Sequence, residues 1–229
     1  MNKADLIEGK TASAKSLGEL KGQARHCKRC DLYKHATQTV FGEGPEQADV
    51  VLVGEQPGDR EDVVGRPFVG PAGAILNACL IMAGIDRDRC YITNTVKHFK
   101  FTQRGKRRLH SKPNAGEIQR CSWWLRSELK LIEPKIIVAL GGTAAAHLKV
   151  KTVRITKDRG MIFHPAKLPP VLVTIHPSYI LRIRDRTAAN AERIICPGPQ
   201  SNKSGADLAV HNHAECMTVE IVSAIVINI

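Results

Sequence analysis

The segment "KHFKFTQRGKRRLHSK", Lys97 to Lys112, holds seven lysines and arginines, no acid, and a histidine near its end. Cations without counter-charge suit phosphate groups, and an imidazole beside them can move a proton or attack an electrophilic carbon. A second constellation is "GEQPGDREDVVGRPFVGPAG" (54–73), dense in Gly and Pro and carrying Glu55, Asp59, Glu61 and Asp62. Carboxylates beside a cationic surface can orient water or favour a cationic transition state, as in cleavage of a sugar–base or sugar–sugar bond. The third is "HPS" (176–178), an imidazole directly after an apolar run, able to donate a hydrogen bond to developing negative charge. The fourth rests on thiols. Cys27 and Cys30 form a CxxC pair, and His98 and Cys121 could complete four ligands. Ligand chemistry alone favours structural zinc there, with a cubane iron–sulfur cluster second. Cys79 and Cys90 lie in apolar contexts that suit the core, and Cys196 and Cys216 stay unassigned. Each constellation also has a plain reading, as solvated loop or strand cap, so placement decides.

The elements that must position these groups alternate in type. "ADVVLVG" (48–54), "CYITN" (90–94), "PKIIVALGG" (134–142) and "PVLVTIHPS" (170–178) are short β-branched apolar runs of the kind buried in parallel sheets. Between them, "GPAGAILNACLIMAGI" (70–85) has Leu76, Leu80 and Ala83 at helical spacing, and Asn114 with Glu117 predicts a capping box for a helix reaching about Ile132. "TAAAHL" and "YILRIRDR" begin two further helices. This alternation predicts an α/β fold of three αβα layers around a central, mostly parallel four-stranded sheet. Ligands of such sheets bind beyond the carboxyl ends of the strands. "GEQPGD", Asn94, "GGT" and "HPS" all fall there, and the basic segment leaves the second strand.

Composition narrows the partner. The 34 basic against 22 acidic residues give a net charge of +12, and the last forty residues hold only two of the bases. An excess of that size in one domain suits a polyanion, nucleic acid above all. No apolar run approaches the ~18–20 residues that span a bilayer. "MNKADLIEGK" lacks an apolar core of a leader, so the expected compartment is the cytoplasm, where the cysteines are thiols or ligands. There is no GxxxxGK[ST] and no GxGxxG opening a helix, so no nucleotide cofactor is expected. The chain divides into a polar segment 1–20, a domain 21–189 and a tail 190–229. The tail's "CPGPQSNKSG" (196–205) reads as a linker and its "TVEIVSAIVINI" (218–229) as a β-prone run.

In their order along the chain these motifs resemble the uracil-DNA glycosylase superfamily, specifically its iron–sulfur branch. "GEQPG" resembles that branch's first motif, "HPS" its second and "GRPFVGPAG" the loop between them, over a similarity running from about His26 to Arg186. "GEQPGD" with "KHFKF" and "KRRLH" further resembles the X-type subfamily (UdgX), whose members bind uracil-containing DNA and become covalently attached through the histidine of a KRRIH-type loop. Leu109 stands in place of that isoleucine. Ordinary type-4 members carry a cysteine where this chain has His98. The resemblance therefore implies a [4Fe–4S] cluster on Cys27, Cys30, His98 and Cys121, in preference to zinc. It also implies an amphipathic helical C-terminus, which the tail does not match.

For the site, the resemblance implies a flipped nucleotide. Asn94 would read the Watson–Crick edge of uracil, Phe68 would stack on it, and His176 with the backbone near Gln56 would stabilise the departing anion. Glu55 and Asp59 would favour the sugar cation or orient a water. Lys97, Lys106, Arg107, Arg108 and Ser178 would contact DNA, and His110 would compete with water for C1′. The expected partner is uracil-containing DNA, single strands included, bound by a monomer with no membrane involved. The competing readings are a multiple-turnover glycosylase in which His110 only touches phosphate, and a non-catalytic nucleic-acid-binding module with a structural metal.

Overall fold

The computed structural model describes residues 13–148, 150 and 153–182 of the protein. The tail 190–229, with Cys196 and Cys216, lies outside them. The first helix, α1 (Leu17–Ala24), begins within the segment read as a polar N-terminus. Ser16 caps it by accepting from the amide of Glu19, and Leu17, Leu20 and Ala24 turn inward.

Strand β1 (Val50–Gly54) is followed by α2 (Asp59–Val64) and α3 (Pro71–Met82). Strand β2 (Cys90–Asn94) leads into a hairpin of β3 (Phe101–Arg104) and β4 (Arg107–His110), then α4 (Ala115–Ile132). The capping box reads as expected: Asn114 accepts from the Glu117 amide, and Glu117 accepts from that of Asn114. Next come β5 (Ile136–Leu140), α5 (Gly142–His147) and α6 (Ile155–Asp158). Strands β6 (Ile162–Phe163) and β7 (Val171–Thr174) and helix α7 (Pro177–Arg182) complete the described chain.

The main sheet has the order β2-β1-β5-β7-β6. Its first four strands pair in parallel, as the apolar runs predict, and β6 adds a fifth, antiparallel edge. Four strands is thus an undercount. Two half-buried residues are too short to show a period of two, so β6 carries no readable signal.

Side-chain alternation divides the core. Val51, Val53, Ile137, Ala139, Val171 and Val173 face Leu125 and Leu129 of α4 and Ala144 and Ala145 of α5. Their neighbours Val50, Leu52, Ile136, Val138 and Leu172 face Leu76, Cys79 and Leu80 of α3. The result is three layers, helix, sheet and helix. A smaller third cluster joins α1 to α4 and contains Cys27, Cys30 and Cys121. Cys79 and Cys90 are core residues, 0% and 2% exposed.

Candidate active site

Because the four long strands are parallel, their carboxyl ends open on one edge. Asn94 closes β2 there, 2% exposed, and its Oδ1 has no hydrogen-bond partner. Such an orphan is costly unless a ligand supplies the donor. Gly54 beside it admits no side chain: a Cβ would collide with Asn94 Oδ1 and lie 2.7 Å from the Phe68 ring. Phe68 sits at φ 53°, a conformation that costs strain in a bulky residue. Gly73 of α3 permits this, since any Cβ there would meet the Phe68 carbonyl. The Phe68 and His176 rings face each other at 5.8 Å with a 34° tilt, beside the Asn94 amide. Together they frame a narrow slot with one aromatic wall and one unsatisfied amide.

His176 enters from the end of β7. The Ser178 amide donates to its Nδ1 at 3.1 Å, which leaves the ring proton on Nε2. Burial lowers its pKa to about 4, only partly offset by the charge of Glu55, so the ring is neutral at pH 7 and donates from Nε2. The Ser178 hydroxyl, expected on DNA, lies 2.8 Å from the same Nδ1 and orients the histidine.

Glu55 joins this slot to the hairpin. Its Oε1 lies 3.2 Å from His110 Nε2, and its other oxygen accepts from the Thr143 hydroxyl at the start of α5. Burial would raise its pKa, but the hydrogen bonds from His110 and Thr143 prevail and hold it below the usual carboxylate range. His110 is therefore aimed from outside the sheet at an ionised carboxylate within it.

The hairpin turns on Gly105, at φ 58°, and pairs Phe101 with His110 in antiparallel register. Its base is clamped by Gln56, whose amide donates to the carbonyls of Lys100 and Ser111 and accepts from the Lys100 amide, each at 3.1 Å. The Gln56 side chain is thereby committed to the hairpin, which leaves its main chain to face a substrate. Arg108, expected on phosphate, is instead a staple. It reaches Asp59 and Asp62 of α2 at 2.6 Å each and lies over the Phe99 and Phe101 rings. Asp59 is accordingly Arg108's partner on α2 in this arrangement. Lys106 and Arg107 remain exposed.

Lys97 departs furthest from expectation. Expected on DNA, it is fully buried and ion-paired to Glu128 at 2.6 Å. A lysine surrounded by cations reads as solvated, and only the fold shows that the segment after β2 carries it against α4.

Comparison with known proteins follows the same geometry. The family model of the uracil DNA glycosylase superfamily matches residues 41–195. The chain is 39% identical to the type-4 uracil-DNA glycosylase of Thermotoga maritima, covering 71% of this chain and 81% of that one. It is 34% identical to the type-4 enzyme of Archaeoglobus fulgidus (72% and 83% covered) and 37% identical to that of Sulfurisphaera tokodaii (72% and 76%). The chain belongs to the uracil-DNA glycosylase superfamily.

In this superfamily member Cys27, Cys30 and Cys121 are buried in one cluster, and His98 is 3% exposed close by. The Thr39 hydroxyl gives its single proton to the Ala24 carbonyl, so it accepts from His98 Nε2 at 3.0 Å. The imidazole lone pair is then on Nδ1, a buried atom with no partner. Burial raises the pKa of Cys30 and pushes Cys121 up to about 12, so these thiols keep their protons unless a cation replaces them. Among the described residues no three His, Cys, Asp or Glu side chains converge on a single ion. The donor set nevertheless has the chemistry of a metal shell: soft sulfurs and an orphan imidazole nitrogen, sealed from water.

Three contributors to the site have roles that the sequence does not assign. Glu61 is buried and accepts from the amides of Gly58 and Gly70, fastening two loops beside the slot. Its spacing from Gly58 at the start of α2 is the available signal. Thr143, directly after the "GG" of a strand end, orients Glu55. Glu128, in mid-helix, carries no sequence signal at all.

Proposed function

We propose that this chain excises uracil from DNA and is then captured on the abasic sugar through His110. The observation that supports this most is the Asn94 Oδ1 atom, buried without a donor beside the Phe68 ring. Uracil N3–H is such a donor, and the Asn94 NH₂ would pair with O4. Cytosine presents an unprotonated N3 and an amino group there, reversing both polarities. An amide slot that a wrong base leaves unpaired discriminates strongly.

The flipped base would lie against Phe68, with base–aromatic stacking worth ~1–3 kcal/mol. As the C1′–N1 bond breaks, its electron pair moves to uracil, and the neutral His176 Nε2–H donates to the resulting oxyanion. Glu55, ionised, faces the cationic sugar. Glu55 then takes the proton from His110 Nε2 as the electron pair of that N–H bond becomes the new bond to C1′, leaving a neutral alkylated imidazole, a protonated Glu55 and the uracil anion. Holding the imidazole by Glu55, Gln56 and Arg108 gives it an effective concentration that bulk water does not match. Lys106 and Arg107 would meet phosphates, and single strands are accepted because no second strand need be opened.

Cys27, Cys30, His98 and Cys121 would hold a [4Fe–4S] cluster, supported by the buried thiols and the orphan His98 Nδ1. When bound, the cluster would supply the cross-link between the CxxC segment, the segment that follows β2, and α4. The remainder of the chain's organisation follows this reading: a catalytic domain through 189, with the tail 190–229 outside it.

The test is a denaturing gel with a single-stranded uracil oligonucleotide. A heat- and detergent-resistant shifted band with one equivalent of uracil released supports the proposal. The type-4 names of the relatives favour a second reading, in which water attacks the sugar. Many equivalents of uracil and no shifted band would establish that reading in place of the first.

A further inference from the structure

Beneath the slot lies a polar network that the chemistry above does not use. Lys97 Nζ donates to Glu128 Oε2 at 2.6 Å, to Thr93 Oγ1 at 2.6 Å and to the Asn94 carbonyl at 2.8 Å, which accounts for all three ammonium protons. Glu128 in turn accepts from Gly42 N at 3.2 Å, Tyr91 OH at 3.0 Å and Thr93 Oγ1 at 3.1 Å. Lys97, Thr93 and Glu128 are each 0% exposed. Every proton and lone pair that burial makes costly is therefore matched.

Stability alone does not explain such a pair. A buried ion pair is commonly no better than apolar side chains of the same volume, because desolvating two charges offsets their attraction. What the pair supplies, and apolar residues would not, is direction. One ammonium proton ends on the main-chain carbonyl of Asn94, the residue whose amide faces the slot. With Gly54 packed against that amide, a small rotation of the Asn94 peptide would carry it into the Phe68 ring or away from a bound base. Lys97 is itself anchored on its other side, where its main-chain amide donates to Cys121 Sγ at 3.1 Å.

We infer that the Lys97–Glu128 pair positions the Asn94 amide and so governs recognition of the base, with neither residue touching the substrate. This inference rests on the uracil reading of the slot. It predicts that Lys97 acts only through Asn94, and therefore that losses at the two positions do not multiply.

The experiment uses the full chain carrying Lys97→Met, and beside it Lys97→Met with Glu128→Gln, which strands no charge and keeps Glu128's acceptor. Asn94→Ala and the combination of Asn94→Ala with the Lys97 changes complete a cycle. Single-turnover release of uracil is measured, together with affinity for an oligonucleotide bearing a tetrahydrofuran abasic analogue, which has no base for Asn94 to read. The expected result is a fall in uracil release of about 30-fold or more, unchanged affinity for the abasic analogue, and no further loss when the Lys97 changes are added to Asn94→Ala. Uracil release at the wild-type rate in either Lys97 variant overturns the inference, as do fully multiplicative losses or an equal fall in affinity for the abasic analogue. A wild-type chain that releases no uracil, or Asn94→Ala without effect, overturns instead the reading on which it rests.

Discussion

The slot and the hairpin are built by opposite means. The slot is made at the ends of a parallel sheet, from residues that are buried and fixed by steric necessity: Gly54, Phe68, Asn94 and the strand end leading to His176. The hairpin belongs to a separate two-stranded sheet, is largely exposed, and owes its position to side chains at its base and flank. A group that must match a base within tenths of an ångström sits on the rigid part. The group expected to form the new bond sits on an arm with its own fastenings, Gln56 below, Arg108 beside and Glu55 in front. On the proposed reading the difference separates recognition from capture: capture can be lost while excision persists, whereas loss of recognition removes both.

Removing the imidazole should split the two most completely. His110→Ala is expected to abolish the gel-shifted band while free uracil continues to appear, measured on the same samples. A shifted band that survives in this variant would place capture elsewhere. Asn94→Ala should diminish both, lowering single-turnover uracil release by about 10²–10³-fold, the scale for losing hydrogen bonds to a buried polar group of the substrate, with the shifted band falling in step. Salt dependence of binding should be unchanged there, since the exposed cations are untouched.

Arg108→Ala tests the fastening. It strands Asp62, which is 0% exposed, and removal of one partner from a buried pair costs about 3–5 kcal/mol. With Arg108 partly exposed, denaturant titration should show a loss at or below the low end of that range, with slower capture and less affected uracil release. For His176 the sign is set by burial: its pKa falls from 6.5 to about 4 in the folded protein. The unfolded chain binds the proton first, so stability is undiminished above about pH 6.5 and declines as pH drops towards 4. His176→Asn should flatten that part of the profile by up to about 3 kcal/mol in pH-dependent unfolding. The smallest effects belong to the exposed cations. Lys106→Ala or Arg107→Ala should each reduce the slope of log affinity against log salt by about 1, with little change in which base is excised.

What could be read from the sequence follows the same division. Strands β1, β2, β5 and β7 were legible because burial on both faces leaves continuous apolar runs, and the slot followed because their ends had to coincide. The hairpin was legible as a charged segment but not as two strands, since exposed pairs such as Arg104 with Arg107 show no apolar alternation. The roles of individual cations were least legible. Lys97, Lys106 and Arg108 look alike in a string of bases, yet one lies buried against a glutamate, one is exposed and one is locked to two aspartates. A residue's charge is written in the sequence, but its partner is a property of tertiary packing.

Among the described residues the hairpin pairs with no strand of the main sheet, and its two ends, at Lys100 and Ser111, are held together by the Gln56 amide. It is in effect a detachable cassette. On the proposed reading, a permanent bond to the product is gained or lost through this one excursion of the chain, with Asp62 neutralised alongside because Arg108 leaves with the hairpin. Exchanging residues 101–110 for a short uncharged turn, or transplanting them into a relative with the same Gln56 clamp, would then convert a repair reaction into a molecular tag for damaged DNA, or the reverse.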